Sequence, residues 1–275
     1  MNLLNTHLSD CFKAKKVVKV ITGIDNVNIS QIVSMVKAAE LSGATYIDVV
    51  ANPKIVKLLK TISSMPICVS SISPIDLYNC VVSGADLVEI GNFDAFYKKG
   101  IYISSNQILQ LVKEIKLLVN SIDICVTIPY HLSIGEQIKL AQALEFMGIS
   151  FIQTESMFIK NKVHMLKLYD NDIVHSIHPS YSSLLSTYFI SMNVQIPILT
   201  SSSINTISSA LALSFGASGI GVSSIIRNKN DLPQMSYYVK LLYDSVNFMV
   251  DQQPLSLDCP IYCKNLLHSD IIKGL

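Results

Sequence analysis

Residues 215–226 read FGASGIGVSSII, and this stretch decides the fold. A glycine closes a helical pattern, a short strand follows, and Gly221, Ser223 and Ser224 lead into the next helix. The same opening, a glycine just ahead of a β-rich strand, recurs in SGATYIDVV (42–50), SGADLVEIG (83–91) and MGISFIQTE (147–155). Glycine suits the end of a helix because it adopts the left-handed conformation without a Cβ clash. The recurrence predicts a repeated junction from helix to strand.

Short β-branched segments alternate with longer helical patterns along the chain, which is typical of parallel βα units. Strands are predicted from about residues 16, 46, 67, 87, 124, 151, 197 and 218. Helices are predicted from about residues 28, 53, 74, 105, 133, 180, 205 and 231. Ser133 and Glu136 have the spacing of a capping box at the start of the fifth of these helices.

Aligning the strands separates two sets of alternating positions. One set contains only Val, Ile and Thr: residues 18, 20, 47, 49, 67, 69, 88, 90, 124, 126, 152, 154, 198, 200, 220 and 222. The other set is mixed and includes Lys19, Asp48, Glu89 and Gln153. An open sheet covered by helices on both faces needs apolar residues at both parities, whereas a closed barrel places one parity under the helices. We therefore predict a single aldolase-type (βα)₈ TIM barrel; an open doubly wound sheet is the alternative.

Composition limits the classes of partner. The 275 residues contain 21 Lys and Arg against 20 Asp and Glu, so no field of one sign would attract nucleic acid. No apolar segment approaches the roughly 20 residues that cross a bilayer, so we expect a soluble protein with no membrane insertion. We assign residues 1–250 to the barrel, after a short N-terminal extension, and residues 251–275 to a C-terminal tail that packs on the barrel or on a second subunit.

Neither the N-terminus nor the cysteine pattern indicates an exported protein. The first 16 residues lack the features of a signal or transit peptide, so we expect the protein to act where it is made. The six cysteines are scattered, and no disulfide framework is implied. Cys259 and Cys263 have loose metal-ligand spacing without a second pair, so we expect no zinc site.

Several ionisable and polar residues belong to the parity that points into the barrel. Lys19, Asp48 and Glu89 are the candidate catalytic residues, because ligands of such barrels bind at the C-terminal strand ends. A buried lysine with a depressed pKa serves as a Schiff-base nucleophile or a proton carrier, and paired carboxylates serve as acid and base. The alternative is a buried ion pair that only fixes the core. The predicted pocket lining is Gln153, Asn92 and Thr127.

The ends of strands seven and eight predict a phosphate site. Eight-stranded barrels commonly bind phosphate at these two loops, where small residues allow the backbone amides to approach the ligand. The candidates are Ser201, Ser202, Gly221, Ser223 and Ser224. The alternative is that small residues merely permit close packing of strand on helix.

The connection after strand six, residues 156–179, is longer than an ordinary loop and is a candidate lid. It carries His164, His175 and His178, for which solvated loop positions are expected rather than a metal site. Other candidates for the mouth of the site follow strands four and five: Asn92, Asp94, Tyr130 and His131.

Five segments together resemble the hypothetical chloroplast reading frame twenty-three (Ycf-twenty-three) family: KVVKVITGI (16–24), VKAAELSGATYIDVVANP (36–53), PICVSSISP (66–74), SGADLVEIGNFDAFY (83–97) and GASGIGVSSI (216–225). The resemblance implies an aldolase-type barrel in the plastid stroma, or in the cytosol of a cyanobacterium. It assigns no catalytic residues. The strand-eight ending also looks like those of flavin-linked and sugar-phosphate barrels, although Ser223 stands where glycine is frequent.

Three functions follow. The first is a lyase or isomerase-like enzyme that binds a phosphorylated small molecule and uses Lys19, Asp48 and Glu89 for proton transfer or Schiff-base chemistry. The second is a non-catalytic regulatory or assembly factor with a protein partner or a homo-oligomeric state. The third is an oxidoreductase that holds FMN at the phosphate loops.

Overall fold

The computed structural model describes residues 3–97, 99–119, 121–156 and 180–251. The predicted lid, with its three histidines, and the predicted tail, with Cys259 and Cys263, lie outside these residues apart from Ser156 and Asp251. Eight parallel strands close into a barrel in the order β1 to β8. They are β1 Val17–Ile21, β2 Tyr46–Val50, β3 Ile67–Ser70, β4 Leu87–Ile90, β5 Asp123–Ile128, β6 Phe151–Thr154, β7 Ile198–Thr200 and β8 Gly219–Val222. The predicted closed barrel is confirmed, and the open doubly wound sheet is wrong.

Helices alternate with the strands. They are α1 Thr6–Lys13, α2 Ile29–Leu41, α3 Pro53–Ile62, α4 Pro74–Val82, α5 Asp94–Tyr97, α6 Ser105–Leu118, α7 Ile134–Phe146, α8 Tyr181–Ser191, α9 Thr206–Ser214, α10 Ser224–Arg227 and α11 Leu232–Asp251. The Ser133 and Glu136 capping box at the start of α7 is present with both of its hydrogen bonds. The last helix, α11, packs against α2 and so completes the outer ring.

Strand alternation sorts the core into two layers. The β-branched parity, such as Val18, Ile47 and Val126, packs outward with apolar residues of the helices into one large cluster. The other parity points into the barrel. Its apolar members form a second cluster with three residues of the N-terminal segment, Leu3, Leu8 and Phe12. The strand residues of this cluster are Val17, Tyr46, Cys68, Leu87, Cys125, Phe151 and Leu199.

Helix α1 was not predicted from the sequence, and it fills the N-terminal end of the barrel. Phe12 packs its ring against that of Phe151, with the ring centroids 4.6 Å apart. The backbone amide of Leu4, just before α1, donates to Asp123 Oδ2 at 2.9 Å and ties this segment to the start of β5. The barrel interior is thus apolar at one end, and its polar residues lie toward the other.

Candidate functional site

Lys19, Asp48 and Glu89 meet at the centre of the barrel. Lys19 Nζ contacts a carboxylate oxygen of Glu89 and lies 3.5 Å from Asp48 Oδ2. All three side chains are almost completely shielded, with 0, 1 and 0% of the side chain of Lys19, Asp48 and Glu89 exposed. Burying one such charge alone costs several kcal/mol, so the three groups are stable there only together.

Neutral side chains complete the hydrogen bonding of this cluster. Gln153 accepts from Lys19 Nζ at 2.9 Å and donates to Glu89 Oε1 at 2.9 Å. Thr127 Oγ1 donates to Glu89 Oε1 at 2.7 Å. Gly91 makes room for these contacts, since a Cβ there would lie 2.1 Å from Thr127 Oγ1.

Asp48 has its own pair of supporting residues. Ser70 Oγ donates to Asp48 Oδ1 at 2.5 Å, and Asn92 Nδ2 donates to Asp48 Oδ2 at 2.6 Å. Asn92 Nδ2 also lies 2.8 Å from Ser70 Oγ. The sequence did not single out Ser70, although it has the inward parity of β3.

The electrostatics of the cluster favour a protonated lysine. Burial disfavours the ammonium, but the charges of Asp48 and Glu89 outweigh that effect and hold the pKa of Lys19 above its ordinary value. Burial raises the pKa of Asp48 to about 6, against the opposing effect of the Lys19 charge. A depressed lysine pKa, which Schiff-base chemistry needs, is therefore not what this surrounding produces.

The cluster also suits an internal ion pair better than a metal. Asp48, Cys68 and Glu89 bring ligand atoms within 4.8 Å of one another. However, the Lys19 ammonium already bonds both carboxylates, and burial holds the pKa of the Cys68 thiol above its ordinary value, so a thiolate ligand is disfavoured.

A cavity of about 260 Å³ lies at the C-terminal ends of the strands. Its described lining includes all five predicted phosphate residues: Ser201, Ser202, Gly221, Ser223 and Ser224. Asn92 and Asp94 also line it, whereas Lys19, Asp48, Glu89, Thr127 and Gln153 are not among its described lining residues. The ionic cluster lies beneath the cavity, and Asn92 joins the two because it contacts Asp48 and faces the cavity.

Backbone strain concentrates around the cavity. Asn92, Ser202 and Ser203 have φ of 59°, 72° and 59°, and among the described non-glycine residues only Lys15 shares this left-handed region. All three line the cavity. Such conformations cost of order 1–3 kcal/mol each and occur most often at ligand sites. In the described part of the chain, the amides of Ser202 and Ser203 have no protein acceptor.

Arg227, at the end of α10, adds a positive charge that the sequence analysis missed. Its guanidinium lies over Gly23, where a Cβ would be 2.6 Å from Nη1. The guanidinium donates a long hydrogen bond of 3.5 Å from Nη1 to the Thr22 carbonyl. Within the described residues no carboxylate lies within 4 Å of it. The residue follows GVSS closely in sequence, but only the turn of α10 brings it to the cavity.

Glu155 is the second residue that the sequence analysis left out of the site. It follows β6 and lines the cavity, although only 3% of its surface is exposed. Tyr97 Oη and the backbone amide of Tyr130 both donate to Glu155 Oε1, the latter at 3.2 Å. Burial raises the pKa of Glu155 to about 8. Its parity, two residues after Gln153, was the signal that could have identified it.

The predicted mouth residues Tyr130 and His131 belong to an aromatic cluster beside this glutamate. The ring of Tyr97 lies 4.9 Å from that of Tyr130 and 5.7 Å from that of His131, between centroids. Tyr102 stacks on Tyr97 at 5.5 Å. Tyr130 and His131 are thus placed next to the cavity, but neither is among its described lining residues.

Comparison with known proteins identifies the family. The model of the family described as "Protein of unknown function (DUF561)" matches residues 3–252. The chain belongs to this family. An uncharacterized protein ycf23 from Antithamnion sp. is 48% identical over 255 residues, covering 89% of this chain and 92% of the relative. The resemblance to the Ycf-twenty-three family is confirmed, and the ycf relatives imply a plastid location.

Solved structures similar to this DUF561 protein share its barrel. A thiamine phosphate pyrophosphorylase from Pyrococcus furiosus has a TM-score of 0.56 and 19% identity, covering 86% of this chain and 98% of its own. A geranylgeranylglyceryl phosphate synthase from Thermoplasma acidophilum, in complex with its substrate sn-glycerol-1-phosphate, has a TM-score of 0.56 and 12% identity, covering 90% and 99%. At these identities the likeness shows the fold, an aldolase-type TIM barrel, and nothing further. Across the described residues no helix is both long and apolar enough to cross a membrane.

Proposed function

We propose that this protein binds the phosphate group of a small phosphorylated molecule in the cavity at β7 and β8, and acts on that molecule as a lyase or isomerase. The observation that carries the proposal is the convergence of Arg227, the strained serines 202 and 203, and Ser223 and Ser224 on one cavity. A guanidinium and backbone amides are the donors that proteins use for phosphate.

The position of the site supports this ligand. Barrels of this type frequently hold phosphate between the loops after strands seven and eight and a short extra helix, and α10 is such a helix. Gly221 keeps the approach open, since a Cβ there would lie 3.0 Å from Ser201 Cβ and 3.1 Å from Ile21 Cδ1. Two solved barrels of the same fold carry phosphate compounds in their names, and one of them contains a phosphorylated substrate.

Neither of the two chemistries predicted for Lys19, Asp48 and Glu89 is supported by the geometry, because none of the three is among the described residues that line the cavity. Lys19 is fully buried and its surroundings keep it protonated, so it is a poor nucleophile. The cluster instead acts on the cavity through Asn92, whose amide it orients. In this proposal Lys19, Asp48 and Glu89 fix the charge and shape of the cavity floor.

Calorimetric titration with inorganic phosphate and glycerol 3-phosphate tests the phosphate site. Loss of a charge-assisted hydrogen bond costs about 1.5–3 kcal/mol, so Arg227→Met should weaken binding by roughly 10- to 150-fold. The control is Lys240→Met, which removes a cation that pairs with Asp244 on the exposed surface of α11 and should leave binding unchanged. Failure of the wild type to bind either probe at millimolar concentration, or equal binding by Arg227→Met, contradicts the proposal.

Further measurements on the wild-type protein distinguish the other two functions. Pockets for drug-sized ligands span roughly 300–1,000 Å³, and the described cavity of about 260 Å³ favours a small phosphorylated molecule over FMN. A yellow purified protein, or FMN binding tighter than glycerol 3-phosphate, would reassign the cavity to flavin. Recovery of a stoichiometric protein partner from plastid stroma, without phosphate binding, would favour the regulatory or assembly function. A stromal location is part of the proposal, and fractionation of isolated plastids tests it.

A further inference from the structure

The two oxygens of the Glu155 carboxyl group have different surroundings. Oε1 accepts two hydrogen bonds, from the Tyr97 hydroxyl and the Tyr130 backbone amide. Oε2 has no hydrogen-bond donor among the described residues, and it is not one of their fully enclosed unpaired atoms. Because the side chain lines the cavity, Oε2 is the oxygen available to a ligand.

We propose that Glu155 is the acid–base group of this site, with a proton on Oε2 that it exchanges with an acceptor oxygen of the bound molecule. The inference rests on the proposed function, because the bound molecule is the phosphorylated ligand of the same cavity. It adds a role for a residue outside the Lys19, Asp48 and Glu89 cluster.

The position of the proton follows from the hydrogen bonds. An oxygen that accepts from two donors has little capacity left for a proton of its own, so the acid hydrogen belongs on Oε2. The surroundings of Glu155 favour its neutral form on balance, chiefly through burial. Burial and the charges of Asp94 and Glu89 raise its pKa, while the donors Tyr97 and Tyr130 lower it, and the result is about 8. A group poised close to neutral pH is suited to acid–base catalysis.

The site defines the class of ligand. The proposed phosphate site lies at the loops after β7 and β8, and Glu155 follows β6, the strand next to β7. Ser201, at the end of β7, donates from its backbone amide to the Thr154 carbonyl at 3.0 Å, so the two ends of the site are close. The ligand is therefore a short phosphorylated compound with a carbonyl or carboxylate oxygen a few bonds from its phosphate.

The proton transfer is balanced within the site. The O–H bond of the carboxyl group breaks with its electron pair retained on Oε2, and a lone pair of the ligand oxygen forms the new O–H bond. The resulting Glu155 carboxylate recovers the proton when the product forms, so the cycle needs no external acid.

Carbon-13 NMR of protein labelled at the glutamate carboxyl carbon tests the protonation state without a ligand. We expect one resonance that titrates near pH 8 and is absent from Glu155→Gln. Because the Tyr97 hydrogen bond lowers the Glu155 pKa, Tyr97→Phe should move that midpoint upward. The control Tyr237→Phe, an exposed tyrosine on α11, should leave it unchanged. A Glu155 resonance that titrates in the ordinary glutamate range overturns the inference.

A matched pair of probes tests the contact. Phosphoglycolate carries a carboxylate two carbons along from its phosphate, and ethyl phosphate lacks that acceptor. Above pH 8 the wild type should lose about tenfold in phosphoglycolate affinity per pH unit, since only protonated Glu155 donates. Glu155→Gln retains a donor and should show a flat profile, as should ethyl phosphate with either protein.

The outcomes separate the two proposals. Arg227-dependent binding of both probes with no difference in their pH profiles overturns the role of Glu155 and leaves the phosphate site intact. Absence of binding by both probes overturns the phosphate site, and with it the ligand contact of Glu155.

Discussion

The buried carboxylate pair of Asp48 and Glu89 and the single buried carboxyl of Glu155 have opposite surroundings. Asp48 and Glu89 share the Lys19 ammonium, and Ser70, Thr127 and Gln153 complete their hydrogen bonds. Among the described residues Glu155 has no ammonium partner, and its Oε2 accepts no hydrogen bond from them beside the cavity. Burial alone therefore does not mark a reactive group. A buried charge with all its partners stabilises the fold, whereas one with an unused bonding position facing a cavity is available for chemistry.

Breaking the closed cluster should have the largest effect. Lys19→Met leaves Asp48 and Glu89 buried without their cation, and loss of one partner of a buried pair costs about 3–5 kcal/mol. The measurement is the free energy of unfolding in urea. Lys240→Met, which removes an exposed cation from the Lys240 and Asp244 pair, should cost roughly 0–1 kcal/mol. A Lys19→Met protein as stable as the wild type would show that the carboxylates are neutral or hydrated in the native state.

Glu155→Gln should have an effect that depends on pH and becomes similar in size to that of Lys19→Met only near pH 8. The folded-state pKa of Glu155 is about 8, above its ordinary value of 4.5, so the folded protein binds this proton more tightly than the unfolded chain. As the pH rises from 4.5 to 8, the unfolded chain loses this proton while the folded protein keeps it. The free energy of unfolding therefore falls by about 1.36 kcal/mol per pH unit over this range. We expect Glu155→Gln to be more stable than the wild type at pH 8.5, by on the order of a few kcal/mol.

The stability difference between Glu155→Gln and the wild type should change with pH. It should shrink as the pH falls and vanish below about 4.5, where the carboxyl is protonated in both states. Melting temperatures of the two proteins between pH 4.5 and 8.5 provide the test. A constant offset across this range would indicate a packing effect rather than an ionisation.

The smallest expected effect concerns the strained rim of the cavity. Ser202 has a φ of 72°, and a left-handed residue other than glycine costs roughly 1–2 kcal/mol. Ser202→Gly relieves this strain, but glycine also gains freedom in the unfolded chain, so we expect stabilisation of less than about 1 kcal/mol. Ser202→Ala keeps the strain and should be neutral. Destabilisation by both glycine and alanine would mean that the loop is held by interactions of the Ser202 hydroxyl.

The difference between the two regions also explains what could be predicted from sequence. The barrel was predictable because Val, Ile and Thr at one parity and mixed residues at the other repeat in all eight strands, and local spacing records which side each residue faces. The meeting of Lys19, Asp48 and Glu89 follows from the same alternation, since inward residues of adjacent layers in a closed barrel converge on its axis.

The residues around the cavity could not all be predicted, because some of them are positioned by short helices and not by strand alternation. Arg227 reaches it only because α10 turns the chain back over Gly23. Tyr97 reaches Glu155 through α5, a four-residue helix whose pattern is too short to recognise. Helix α1 was missed for a related reason. Its apolar residues Leu8 and Phe12 pack into the end of the barrel and not against a neighbouring segment of the sequence.

Helix α1 also limits how a ligand could enter and leave the barrel. Because Leu8 and Phe12 fill the N-terminal end of the barrel, the reactant and product of the proposed reaction would use the same opening at the opposite rim. In that proposed reaction, a bound molecule would block entry of the next one, so each product would have to leave before another reactant could bind.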